Sequence, residues 1–116
     1  MVIKQPQDVT AVPVQTQGAK DVKVRVLFGP QDKAPTFAMR IFELSPGGHT
    51  PLHEHPFEHE IMVLEGRIGA VSPQGVRPVD VGDVLLVMPG EVHQFKNLSD
   101  TQPARMMCLV PVAYQK

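Results

Sequence analysis

The chain has one cysteine, one tyrosine and no tryptophan among its 116 residues, and aromatic side chains make up only 5% of it. Cys108 has no second cysteine to pair with, so no internal disulfide staples the fold, and a reducing compartment suits it. Long hydrophobic runs are absent too. The longest, Met106 to Val112, contains Pro111 and falls far short of the roughly 20 residues that a spanning helix needs. Met1 to Asp8 lack the apolar stretch of a secretory signal, and a cytoplasmic location is the expectation. Neither sign of charge dominates: 11 Lys and Arg stand against 12 Asp and Glu, a net charge of −1. No basic cluster is interleaved with aromatics, which argues against nucleic acid and anionic membrane as partners. Uninterrupted helical stretches are missing as well, because 12 prolines and 9 glycines punctuate the chain throughout. Both residue types are costly inside helices, so a helical bundle is excluded.

What remains is a chain of the size of one compact domain, 42% apolar and patterned for strands. Val22, Val24 and Val26 alternate with Asp21, Lys23 and Arg25, the period of a half-buried strand. Further strands are predicted at residues 36–44, 50–55, 60–64, 67–71, 76–79, 84–88, 92–97 and 104–112, with turns at Pro46-Gly47-Gly48, Glu65-Gly66, Ser72-Pro73-Gln74-Gly75 and Pro89-Gly90. Short strands at this spacing predict an all-β, antiparallel sandwich or barrel. Residues 1–20 are polar and read as an N-terminal arm or edge strand, and residues 21–116 as the barrel domain. The segment Phe37 to Leu44 is apolar on both phases, as a strand covered by a second subunit would be. Within it, Arg40 is expected to point outward into a salt bridge.

Four of the five histidines form an ordered set, His53, His55, His59 and His93. Residues two apart on a strand share a face and lie roughly 6.5 to 7 Å apart, a span that two imidazoles can close around one ion. Glu54, Glu58 and Glu60 take the alternate, outward positions, which leaves His53, His55, His59, Ile61, Val63, His93 and Phe95 inward. Unpaired imidazoles are expensive in an interior, and a bound metal removes that cost. His49, in the predicted turn, has no such partner and reads as a loop residue.

Gly47-x5-His53-x-His55-x3-His59-x6-Gly66 resembles the first cupin motif, with histidine where glutamate is usual. Gly82-x5-Met88-x-Gly90-x2-His93-x3-Asn97 resembles the second, with methionine where proline is usual. The resemblance implies a single-domain cupin, an antiparallel jelly-roll-type β-barrel, with His53, His55, His59 and His93 as metal ligands and a homodimer as the assembly. Glu60 is the alternative to His59, and strand parity favours His59 because the two point to opposite faces. Among cupins the chain is most similar to the small manganese proteins with an all-histidine site. The metal is expected to be Mn²⁺, with Fe²⁺ next, and Zn²⁺, Ni²⁺ or Cu²⁺ also compatible with nitrogen donors.

Four neutral imidazoles leave the ion its full charge and favour a divalent state. No acid or base side chain is placed inward beside the ligands, so the chemistry falls to the metal. The function expected is a dioxygenase-like oxidoreductase acting on a small organic molecule; the alternatives are a redox-silent isomerase or lyase on a small sugar acid and a non-catalytic binding module. Phe95, Met106 and Cys108 are inward candidates for the substrate pocket, against plain core filling, which is the commoner use of such residues. Phe57, between two ligands, either gates the mouth or caps the barrel end.

Overall fold

The computed structural model describes residues 1–115. Nine strands form among them: β1 Val12–Pro13, β2 Lys20–Phe28, β3 Phe37–His49, β4 His59–Glu65, β5 Arg67–Ser72, β6 Gly75–Asp80, β7 Val84–Val87, β8 Gln94–Asn97 and β9 Ala104–Pro111. Every pairing is antiparallel. The architecture is all-β, a jelly-roll-type barrel made by one curled sheet. No helix among the described residues is long and apolar enough to cross a membrane.

The long β3 joins the two halves of the barrel. Its first part lies between β2 and β9, while its last residue, His49, pairs with Lys96 of β8. From β9 the sheet continues to β4 and β7, and from β8 to β5 and β6. The predicted turn at Pro46-Gly48 is instead part of β3. The chain makes its excursion there as a bulge, since Leu44 pairs with Val22 but the next matched pair is His49 with Lys20. The predicted strand 50–55 is also corrected: it contributes only an isolated bridge between His53 and His93. Pro51 and Pro56 have no N–H to give a ladder, and the flanking residues stay irregular.

The core follows the alternation. On β9 Ala104, Met106, Cys108 and Val110 are buried, and across the sheet they meet Leu44, Phe42, Arg40 and Ala38 of β3. Ile61 and Val63 of β4 pair with Cys108 and Met106 on the other side. Ile68, Val79 and Phe95 close the far wall. Each large apolar side chain fully buried in this way contributes about 1.5–3 kcal/mol. Arg105, on the opposite phase of β9, faces out and pairs with Glu65 at 3.2 Å. Gly66 makes the β4–β5 hairpin at φ 75°, where a Cβ would meet the Pro103 carbonyl oxygen at 2.6 Å.

Residues 1–20 run along β2 of their own chain. Val12 pairs with Val24, Lys4 Nζ donates to the Leu27 carbonyl at 2.9 Å and to Asp32 Oδ1 at 2.6 Å, and Arg25 Nη1 donates to the Val9 carbonyl at 2.5 Å. The Lys4 ammonium holds the Asp32 carboxyl below its ordinary range. This segment thereby lies beside β2, and its Val14 packs against the core and lines the cavity.

Candidate metal centre

His53 and His93 face one another across the isolated bridge, each donating its N–H to the other's carbonyl, at 3.1 and 2.9 Å. His55 is fixed from the opposite loop, where Gly90, in the left-handed conformation at φ 78°, donates its N–H to the His55 carbonyl at 2.8 Å. Two loops on opposite strands thus deliver three imidazoles to one point. One donor nitrogen from each of His53, His55 and His93 lies within 4.8 Å of the others.

The ring tautomers are set by the backbone. His55 Nδ1 lies 2.8 Å from the Phe57 carbonyl oxygen and His93 Nδ1 lies 2.7 Å from that of Glu91. A carbonyl only accepts, so both Nδ1 atoms carry the proton and both Nε2 atoms present a lone pair. His55 Nε2 is buried and has no hydrogen-bond partner among the described residues. An orphaned buried nitrogen among converging imidazoles is what a divalent metal ligand looks like without its ion. The residues present fit the metal that the fold implies.

His59 enters from β4 beside this set. Its ring centroid lies 4.4 Å from that of His55 and 5.4 Å from that of His93. It is buried, and burial, followed by the charge of Arg40, pushes its imidazole down to about 3. Burial lowers His55, and burial together with the neighbouring His93 and His55 lowers His53, so these rings are neutral at pH 7. Glu60 is exposed and faces the outer surface with Met62 and Leu109, on the side of β4 away from His59. His49, at the end of β3, lies near Gln94 and outside the cluster.

The histidines open into a cavity of about 320 Å³. Its walls include Val24, Phe42, Ile61, Phe95 and Met106, with Val14, Gln15 and Thr16 from the N-terminal segment at one side. Cys108 and Phe57 line it too. Phe57 is stacked between His55, at 3.8 Å, and Tyr114, at 4.3 Å. Cys108 Sγ lies 3.3 Å from His59 Nδ1, a diagonal neighbour across β4 and β9, and burial keeps its thiol above the ordinary value.

Arg40 is the correction. It lines the cavity and forms no salt bridge among the described residues, donating instead through Nη2 to Cys108 Sγ at 3.1 Å. The cause is register: Arg40 pairs directly with Cys108, whose side chain is inward, so the two share a face. The N-terminal wall and the Tyr114 stack went unmarked in the sequence, since neither Val14 nor Tyr114 lies in a motif.

Residues 40–110 match the cupin domain, well over half of the chain. The chain belongs to the cupin family. This cupin is 37% identical to the polyketide cyclase RemF from Streptomyces resistomycificus, over 97% of its own length and 80% of that chain, with a TM-score of 0.91. It is 33% identical over 75 residues to 1-methylthio-D-xylulose 5-phosphate methylsulfurylase from Rhodospirillum rubrum, and the match covers 65% of this cupin but 47% of that protein. The cupin-2 domain protein Rru_A2000 of Rhodospirillum rubrum is 27% identical, with a TM-score of 0.80, over all of this cupin and 77% of that chain.

Proposed function

We propose that this cupin is a metal-dependent enzyme acting on a small, largely apolar organic molecule that carries several carbonyl oxygens, and that its reaction is a cyclase-type condensation. The observation that carries this reading is the buried, unpartnered His55 Nε2, aimed with His53 and His93 into an apolar cavity. The near full-length similarity to a polyketide cyclase supports the choice of reaction. His59 is proposed as the fourth ligand, binding through Nε2 while its Nδ1 proton rests on the Cys108 sulfur. When bound, a divalent ion supplies Lewis-acid polarisation of a substrate carbonyl. Val24, Phe42, Ile61, Phe95 and Met106 exclude water and hold the substrate body, and the Phe57 stack narrows the way in. No carboxylate lines the cavity among the described residues, so the protein contributes electrophilic activation and shape rather than an Asp or Glu base.

A dioxygenase-type oxidoreductase is the second reading, favoured by the neutral nitrogen donors, which leave the ion its whole charge and suit a reduced divalent state. The apolar lining disfavours a sugar acid, whose hydroxyls would find few partners. Mn²⁺ is placed first and Fe²⁺ next on the resemblance to all-histidine manganese cupins. The test is elemental analysis followed by turnover of a poly-β-ketone under argon and under air. Equal cyclisation in both selects the first reading, and product formed only with oxygen uptake selects the second. Stoichiometric metal without turnover of any carbonyl substrate makes the protein a binding module.

A further inference from the structure

Of the five arginines, Arg25, Arg67 and Arg105 lie 2.7, 3.2 and 3.2 Å from the carboxylates of Glu43, Asp80 and Glu65, and Arg77 is exposed on β6. Arg40 differs from all of them. It is half-buried in the cavity wall with no carboxylate partner among the described residues, and it contacts the Cys108 sulfur at 3.1 Å and the face of Phe42 at 4.7 Å. Its Nε is buried and makes no hydrogen bond among the described residues. A guanidinium carries five donors and does not deprotonate, and a thiol with one aromatic face answers only part of that demand. Leaving the rest unmet inside a wall is costly, and a methionine would fill the same volume without the cost. The charge is therefore not there for packing.

The surroundings say what it is for. Among the described residues lining the cavity, Arg40 is the one guanidinium, no Lys joins it, and no Asp or Glu is present. A cation in the wall of a largely apolar cavity, with no carboxylate among the described lining residues, favours an anionic ligand and orients it by paired N–H donors. The Cys108 sulfur touches both Arg40 Nη2 and His59 Nδ1, so an oxygen held by Arg40 sits on the same wall as the histidine set.

We propose that Arg40 orients the ligand of this cavity by binding a deprotonated oxygen, carboxylate or enolate, on an otherwise apolar, ring-bearing molecule whose body packs against Phe42, Phe95 and Met106. The inference rests on reading the cavity as a substrate site and adds the substrate's charge. It is tested by calorimetric titration of the metal-loaded protein with two matched pairs at pH 7.5, 2-naphthoate against 2-naphthamide and dimedone against 3,3-dimethylcyclohexanone. The acid of at least one pair is expected to bind about tenfold or more tightly than its neutral partner, and the pair with the larger ratio identifies the oxygen type. Arg40→Met should bring the ratio to within about twofold of unity while its melting temperature equals or exceeds that of the wild type. Should Arg40→Met not fold, Arg40→Lys carries the test, and loss of the planar fork should weaken acid binding severalfold with neutral binding unchanged. No binding of any probe at millimolar concentration, no acid preference in the wild type, or a preference undiminished in these variants overturns the proposal. Titrating the metal-free protein alongside separates the two readings. An Arg40-dependent preference that persists there stands even if no turnover is found, whereas one that requires the metal and survives Arg40→Met belongs to the metal.

Discussion

At the scale of single residues, the site is decided by which nitrogen of each histidine holds the proton. The carbonyls of Phe57 and Glu91 make that choice for His55 and His93, whereas His59 has only a sulfur beside its Nδ1. The consequence is a graded response to substitution. The His53→Ala/His93→Ala double variant should retain no metal by elemental analysis, while His59→Ala should still bind, with affinity reduced by roughly 10- to 100-fold. Wild-type affinity in His59→Ala would remove His59 from the ligand set. The neutral rings also set a pH dependence for the metal-free protein. Because burial holds His59 at about 3, below its ordinary 6.5, protonation favours the unfolded chain. This contribution is complete above pH 6.5 and is lost as pH falls towards 3, at up to about 1.4 kcal/mol per unit. Urea midpoints measured with chelator should therefore drop between pH 7 and pH 5, and His59→Gln should flatten the drop. His53, His55 and His93 do come together, but through an isolated bridge and irregular backbone rather than the period-two strand expected at 50–55, and His59 alone of the four lies on a regular strand. Arg40 was not legible, because its direction depends on pairing with Cys108, distant in the chain, and both phases of its own segment are apolar.

At the scale of elements, the alternating strands were legible and the places where alternation fails were not. Pro46-Gly47-Gly48 has the composition of a turn, yet the chain bulges there and rejoins the same strand. The bulge is held by the Gly47 N–H donating to the Ser99 carbonyl at 3.1 Å and by a side chain from another strand. The buried Asn97 of β8 donates through Nδ2 to the carbonyls of Leu44, Ser45 and Gln102, at 3.1, 3.2 and 2.8 Å, and accepts from the Ser99 N–H at 2.9 Å. No local pattern announces a pin that joins three segments, although a buried amide is one of the few groups able to supply it. Asn97→Ala leaves these backbone groups without a partner and should cost about 2–3 kcal/mol in chemical denaturation. Asn97→Asp should fare no better, because a carboxylate replaces the donor with an acceptor facing carbonyls. A loss under about 0.5 kcal/mol in both would show that the bulge is held by its backbone alone.

At the scale of the whole molecule, the outer surface departs from what an isolated barrel needs. A sheet face turned to water is normally polar. Yet Met62 of β4 pairs with Val84 of β7 on one side and Met107 of β9 on the other, and Glu60 lies between Leu86 and Leu109 in the next row. Val84 is 70% exposed and Leu86 55%, on a strand that ends the sheet order and so presents an unpaired edge. The segment Phe37 to Leu44, expected to be covered by a second subunit, divides differently: Ile41 is buried within this chain, while Phe37 stays 67% exposed beside the same face. An apolar stripe next to a free edge suits a two-fold interface, in which each copy covers the other's stripe. We expect light scattering at micromolar concentration to report a homodimer. Val84→Glu combined with Leu86→Glu should give a monomer with metal content unchanged, because these side chains point away from the cavity. A monomeric wild type would leave the stripe without that role, and a dimer that survives both substitutions would put the interface on another face.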